Sequence, residues 1–271
     1  MHVLITGVDG FTGRYLKLKL IESGHTVTGL SANLIDFNSI NKEIEKVQPE
    51  AVVHLAGISF VGNDNKELFY KVNVLAVENI LESVLEIENY IPNKIILVSS
   101  ATVYGRQEDN ILDEFMTPNP VNHYGISKLA MEQIAKTYYD KLNIIISRPF
   151  NYTGIGQDEQ FLIPKIVNHF KENKQYIELG NIEVYREFND IDFISEAYRR
   201  LLENSIAGIT DSLFILLTVL TLLFIFYKKS SLIYLSFIFI ALAAFVRYEG
   251  IVLIIPLLVS YVIKNRQEKI P

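Results

Sequence analysis

The chain opens on a short apolar run, Val3-Leu4-Ile5-Thr6, that ends at Gly7 and shows no polar alternation. Such a run reads as a strand buried on both faces of a parallel sheet, and not as a leader peptide. Strand-like runs recur at Thr26–Leu30, Ala51–His54, Lys94–Ser99 and Asn143–Ser147. Between them, apolar positions fall at helical spacing over Arg14–Ser23, Ser39–Val47, Glu67–Leu85 and Tyr124–Leu142. Strand and helix in alternation predict βαβ units, hence an α/β fold with a doubly wound parallel sheet covered on both faces.

The pattern changes beyond Gly208. Residues 212–227, 230–246 and 250–263 are uncharged runs of 16, 17 and 14 residues, rich in Leu, Ile and Phe. A membrane-spanning helix needs roughly 17–25 apolar residues, so the first two runs predict transmembrane-like helices, and the third is short and holds Pro256. Charge follows the same division. The 271 residues carry a net charge of −6, with residues 208–271 at +3 and residues 1–207 at −9. The acidic part predicts a soluble globular domain, and its charge argues against nucleic acid as a partner. There is no cysteine, which excludes disulfides, thiolate metal sites and cysteine nucleophiles. The five histidines (2, 25, 54, 123 and 169) lack metal-ligand spacing; His54 reads as a packed core residue, and the acid-rich stretch Glu43–Glu50 as a solvated helix face.

After the first strand comes Gly7-Val-Asp-Gly10-Phe11-Thr-Gly13, a GxxGxxG turn that opens a helix. Glycines let a backbone approach a pyrophosphate closely, and the helix N-terminus presents free N–H groups to it. In this position the turn predicts a dinucleotide site on a Rossmann-type sheet. The second strand ends near Ser31, where neither the acid that takes a ribose 2′-hydroxyl nor the Arg that takes a 2′-phosphate is present, so NAD and NADP both remain open. Asp36 reads either as an acceptor for the adenine amino group or as a helix N-cap.

Tyr124 and Lys128 stand at i and i+4, on one helix face. A cation there lowers a phenol's pKa and fits it for acid–base work. Upstream, Ser99-Ser100 closes a strand at the sheet edge where ligands bind.

On these residues the sequence resembles the extended short-chain dehydrogenase/reductases, the NAD-dependent epimerase/dehydratase family. The resemblance rests on Gly7–Gly13, Val53-His-Leu-Ala-Gly57, Asn73, Ser99-Ser-Ala-Thr-Val-Tyr-Gly105 and Tyr124–Lys128, and runs from residue 2 to about 207. It implies Ser100, Tyr124 and Lys128 as catalytic residues. It implies Gly7, Gly10, Phe11, Gly13, Ser31, Asp36, Leu55, Ala56, Gly57 and Asn73 as the cofactor site for NADP or NAD, with Gly57 replacing the more usual Ala. A narrower similarity, over Arg148–Gln157, Phe161–Lys165, Glu178–Asn181 and Arg186–Asp190, points to the nucleotide-sugar branch and its reductases of GDP-4-keto-6-deoxymannose. By that likeness Asn151, Lys165 and Arg186 face the nucleotide diphosphate. The acid pair that sugar 4,6-dehydratases carry after the catalytic hydroxyl is replaced by Ala101 and Thr102. The implied reaction is therefore reduction of a nucleotide-activated 4-keto-6-deoxy hexose, with 4-epimerisation and non-catalytic nucleotide binding as alternatives.

The resemblance also implies a last strand and further helices after Ile194–Glu203, where this chain turns apolar. The expected organisation is a dinucleotide-binding domain over 1–150, a truncated nucleotide-sugar region over 151–207 and a membrane-like helical tail over 208–271, with activity impaired by the replaced C-terminus. The segment Ala241–Ile263 resembles a piece of polytopic, lipid-linked-sugar glycosyltransferases. The expected setting is a cytoplasmic catalytic domain held at a membrane by the tail, and family members imply a homodimer through the helices Glu67–Leu85 and Tyr124–Leu142.

Overall fold

A computed structural model describes residues 1–60, 65–107, 111–180, 186–226 and 233–246. The chain divides into two compact units, Met1–Leu202 and Glu203–Pro271. Its strands are β1 (His2–Thr6), β2 (Thr26–Leu30), β3 (Ala51–His54), β4 (Lys94–Val98), β5 (Ile144–Ser147), β6 (Asn151–Thr153) and β7 (Phe188–Asp190). Its helices are α1 (Phe11–Glu22), α2 (Phe37–Val47), α3 (Lys66–Tyr70), α4 (Ala76–Glu86), α5 (His123–Lys136), α6 (Leu162–Lys171), α7 (Ile191–Phe226) and α8 (Ile233–Val246).

Five strands form one parallel sheet in the order β2-β1-β3-β4-β5. Side chains alternate across it. Leu4, Val52, Ile95 and Leu97 enter a core with Ile40 and Ile44 of α2, Ile80 and Val84 of α4 and Met131 of α5. Val3, Ile5, Val53 and Ile96 enter a second core with Leu16 and Leu20 of α1 and Ile194, Tyr198 and Leu202 of α7. The predicted doubly wound sheet is therefore present. The order reverses between β1 and β3, which opens a crevice at the carboxyl ends of those strands. A separate parallel pair joins β6 to β7, with Asn151 opposite Phe188.

The glycine turn is close-packed. Gly7 has φ +70°, and a Cβ on Gly13 would stand 2.2 Å from the Gly7 carbonyl oxygen and 2.7 Å from Val8 Cα. Helix α1 thus rests directly on the loop that precedes it.

The expected helix Glu67–Leu85 is interrupted. A π-helical turn, Lys71–Leu75, separates α3 from α4. The extra residue seats Asn73 wholly inside, where its amide bonds both the N–H (2.9 Å) and the carbonyl (3.1 Å) of Ile58. Helix α5 ends at Lys136 rather than at Leu142, because the backbone tightens into three-residue turns, Thr137 to Ile134 (2.9 Å) and Tyr138 to Ala135 (3.1 Å). Lys94 is buried at the start of β4 and its ammonium donates to the carbonyls of Leu201 and Leu202. A cation over helix carbonyls suits a helix end, yet α7 continues to Phe226 because no proline stops it.

The carboxyl ends of β4 and β5 are tied to α5 by one buried carboxylate. Glu132 accepts from Ser99 Oγ (2.5 Å) and from Arg148 Nε (2.9 Å) and Nη2 (2.6 Å). Arg148 also donates to Tyr104 Oη at 3.0 Å and lies 4.9 Å above that ring's centroid.

In the second unit, Phe224 of α7 stacks on Phe239 of α8 at 5.5 Å. The two spans expected here are not supported. Among the described residues no helix is long and apolar enough to cross a membrane. The third run, 250–263, the part of the glycosyltransferase-like Ala241–Ile263 beyond Val246, and the flanking Lys228, Lys229, Arg247 and Glu249 lie outside the described residues.

Two stability outcomes follow from this packing. Gly13→Ala places a methyl against backbone that cannot yield, and should lower unfolding free energy by at least about 1–3 kcal/mol in urea titration. Arg148→Leu strands the Glu132 charge and should cost about 3–5 kcal/mol, with Arg148→Leu/Glu132→Leu recovering part of it; equal midpoints for wild type and the single variant would refute the argument.

Candidate active site

The carboxyl edge of the sheet gathers most of the predicted residues. Gly10 caps α1 without any side-chain hydrogen bond, and the first turn of α1 carries no acid. The N–H groups of that turn and the helix dipole are therefore available to an anion. A Cβ on Gly7 would meet the Ala56 backbone at 3.0 Å, so this cradle exists only because the residue is glycine. The arrangement fits a dinucleotide pyrophosphate. Phe11 stacks on Tyr152 with centroids 6.2 Å apart, and Thr12 Oγ1 bonds Tyr152 Oη at 2.9 Å, which ties the glycine loop to β6.

The loop after β3 lies beside it. Ala56 N–H donates to Thr6 Oγ1 (3.1 Å) and Leu55 N–H to the Thr6 carbonyl (3.3 Å). A Cβ on Gly57 would come 3.0 Å from Asn73 Oδ1 and 3.3 Å from Lys128 Nζ. Glycine at this position thus leaves the lysine head close to the loop. Asn73 has no exposure, and its amide also donates to Ser127 Oγ at 3.1 Å. It clamps the loop to α5 and reaches a ligand only through that loop.

Ser100 neighbours Tyr124 at this edge, and Lys128 lies one helical turn further along α5. Ser100 caps a short 3-10 turn, Ala101–Tyr104, and accepts from Thr102 N–H (3.2 Å) and from Thr102 Oγ1 (2.9 Å). Tyr124 sits in the first turn of α5, where Asn122 caps the helix by accepting from Gly125 N–H at 2.8 Å. Burial raises the Tyr124 phenol to about 12, against the downward pull of the neighbouring Ser100 hydroxyl. Lys128 is buried and donates to the Val98 carbonyl at 2.7 Å. Burial lowers its ammonium to about 8, and the Glu132 charge opposes that shift. Burial is the largest influence on the Tyr124 phenol and moves it up, while the Lys128 head is engaged with a strand carbonyl. What the trio holds at neutral pH is a protonated phenol next to a serine hydroxyl, with a buried cation one turn away: a proton donor at the sheet edge.

The remaining predicted residues separate into three groups. Asp36 accepts from Asn38 N–H (3.1 Å) and Ser39 N–H (3.4 Å), which is the N-cap alternative for it. Ser31 is exposed, and its N–H and hydroxyl both donate to Glu43. Asn151, Lys165 and Arg186 are exposed on the β6–β7 and α6 region; Asn151 Nδ2 donates to the Glu187 carbonyl (3.1 Å), which sets it beside Arg186 in sequence, and Lys165 donates to the Glu178 carbonyl (2.6 Å).

His54 is the core residue expected of it. It is buried, bonded to Thr6 Oγ1 at 2.8 Å, and burial lowers its pKa to about 3, so the ring is neutral. Two acids carry more than their sequence suggested. Glu132 falls four residues after Lys128 on the buried face of α5, a signal legible in the spacing. Glu43, expected on a solvated helix face, turns onto the end of β2, and nothing local announces a contact made across 12 residues.

Residues 3–212 match the NAD dependent epimerase/dehydratase family. The GDP-6-deoxy-D-talose 4-dehydrogenase of Aggregatibacter actinomycetemcomitans is 39% identical over 219 residues, spanning 77% of this chain and 74% of that protein. The GDP-6-deoxy-D-mannose reductase of Pseudomonas aeruginosa is 30% identical over 223 residues, spanning 76% and 72%. The solved structure of RMD from Pseudomonas aeruginosa complexed with NADPH shares the fold at TM-score 0.67 and 28% identity, over 74% of this chain and 73% of that one. With the glycine cradle, the Ser–Tyr–Lys geometry and these likenesses in agreement, the chain belongs to the NAD dependent epimerase/dehydratase family.

Proposed function

We propose that this chain is an NAD(P)-dependent nucleotide-sugar oxidoreductase that reduces the C4 ketone of a 4-keto-6-deoxy hexose carried on GDP. The observation that carries this reading is the buried, protonated Tyr124 phenol paired with Ser100 at the carboxyl edge of β4, with Lys128 one helical turn on. The GDP assignment draws on the two relatives above, both named for GDP-6-deoxy sugars. Residues 1–150 bind the dinucleotide in this reading, and 151–207 the sugar nucleotide.

A reduced nicotinamide, when bound, supplies the hydride for C4. Ser100 Oγ orients the carbonyl oxygen, and Tyr124 Oη delivers the proton to it as the alkoxide forms. Lys128 holds the nicotinamide ribose by its ammonium. Thr102 donates to Ser100 rather than acting as an acid, since a hydroxyl does not replace the carboxylate that water elimination needs. Gly7, Gly10 and Gly13 with Phe11 hold the pyrophosphate, Leu55, Ala56 and Gly57 line the nicotinamide half, and Asn151, Lys165 and Arg186 supply amide and cationic donors for the substrate diphosphate.

Helix α6 contains no buried side chain, and Leu162, Val167 and Phe170 on it are exposed. That supports an incomplete substrate lobe, and so an impaired turnover. The same trio performs 4-epimerisation, so the deciding measurement is cofactor balance. With GDP-4-keto-6-deoxymannose, a reductase consumes one reduced nicotinamide per sugar; interconversion of a 4-hydroxy GDP-hexose and its C4 epimer without net consumption would assign the epimerase instead.

Tyr124→Phe should lower turnover by about 10²–10⁴-fold while cofactor affinity stays within twofold. Lys128 predicts a pH dependence of binding. Its folded pKa is depressed to about 8, so the cation is present below that pH and lost above it. The dissociation constant for NADH should rise severalfold from pH 7 to pH 9.5 in calorimetric titration, and Lys128→Met should flatten that dependence.

A further inference from the structure

The carboxylate of Glu43 closes the end of β2. Its Oε1 accepts from Ser31 N–H at 2.8 Å, and its Oε2 from Ser31 Oγ at 3.0 Å and Ala32 N–H at 2.7 Å. Register fixes what lies beside this point. Thr6 of β1 pairs with Leu30 of β2, so the glycine turn that follows β1 and Ser31 that follows β2 leave the sheet at the same edge. A dinucleotide with its pyrophosphate on the glycine turn would then carry its adenosine ribose toward the end of β2, at Ser31 and Ala32.

The donors available to a 2′-substituent there are already engaged by an anion. A carboxylate has about four lone-pair sites; three are used, and one on Oε1 remains for a ribose hydroxyl that donates. A 2′-phosphate has only acceptors, carries about −1.5 to −2 charge and would meet the Glu43 carboxylate. Residues 31–47 contain no Arg to offset this, and the cations in that stretch are Lys42 and Lys46 of α2. We infer that Glu43 selects the cofactor by accepting from the 2′-hydroxyl of NAD(H) and repelling the 2′-phosphate of NADP(H). This rests on the dinucleotide reading above, and it sets the chain apart from the related structure complexed with NADPH.

The test is isothermal titration of the full chain with NADH and with NADPH, in wild type, Glu43→Gln and Glu43→Ala. Wild type should bind NADH at least tenfold more tightly than NADPH, and both variants should narrow that ratio at least fivefold, chiefly by strengthening NADPH. Competition on the wild type is independent of any variant's folding: 5′-AMP should displace NADH at concentrations where adenosine 2′,5′-bisphosphate does not. NADPH bound as tightly as NADH, an unchanged ratio in both variants, or equal displacement by the two nucleotides would overturn the inference and leave the dinucleotide reading intact. Failure of both cofactors to bind would overturn the two together.

Discussion

A carboxylate with no access to water, Glu132, organises the catalytic edge of this molecule. Removing a charge from water is costly unless hydrogen bonds and an opposite charge replace the lost solvation. Here Ser99 from the end of β4 and Arg148 from the end of β5 supply both, while Glu132 itself stands on α5. One group thereby fixes two strand ends against one helix. Those three elements carry Ser100, Tyr124 and Lys128, so the spacing of the trio is set by a contact that none of them makes.

The same burial sets the protonation of the site. Tyr124 and Lys128 are both desolvated, which pushes the phenol up and the ammonium down. Each group is moved toward its neutral form. The tyrosine therefore stays protonated at neutral pH, as a free phenol does. Glu132, one turn beyond the lysine, keeps part of the cation's charge in place against the cost of burial. The π-helical turn serves the other side of the crevice in the same manner, since it brings Asn73 inside to hold the Gly57–Ile58 loop close to the lysine head.

Much of this was legible because it depends on local pattern. Thr26–Leu30 and Ala51–His54 are strands with the bounds their apolar runs gave, and the glycine turn sits where its spacing placed it. The Tyr124–Lys128 pair lies on one helix face because i and i+4 always do. The π turn at Lys71–Leu75 was not legible, because its cause is a polar contact with a loop 15 residues upstream. Nor was the length of α7: the apolar residues past Gly208 continue a helix as readily as they start a new one, and the spans expected there are too short as helices among the described residues.

Alone, the order of residues determined which segments are strands, which helix faces are apolar, and which residue types stand at strand ends, since periodicity and glycine chemistry act over a few positions. Tertiary structure decided the rest: that the Lys128 ammonium donates to the Val98 carbonyl, that burial raises the Tyr124 phenol, and that Glu43 accepts from the end of β2. Electrostatics and desolvation depend on distance through space, and that distance is created only when the sheet closes.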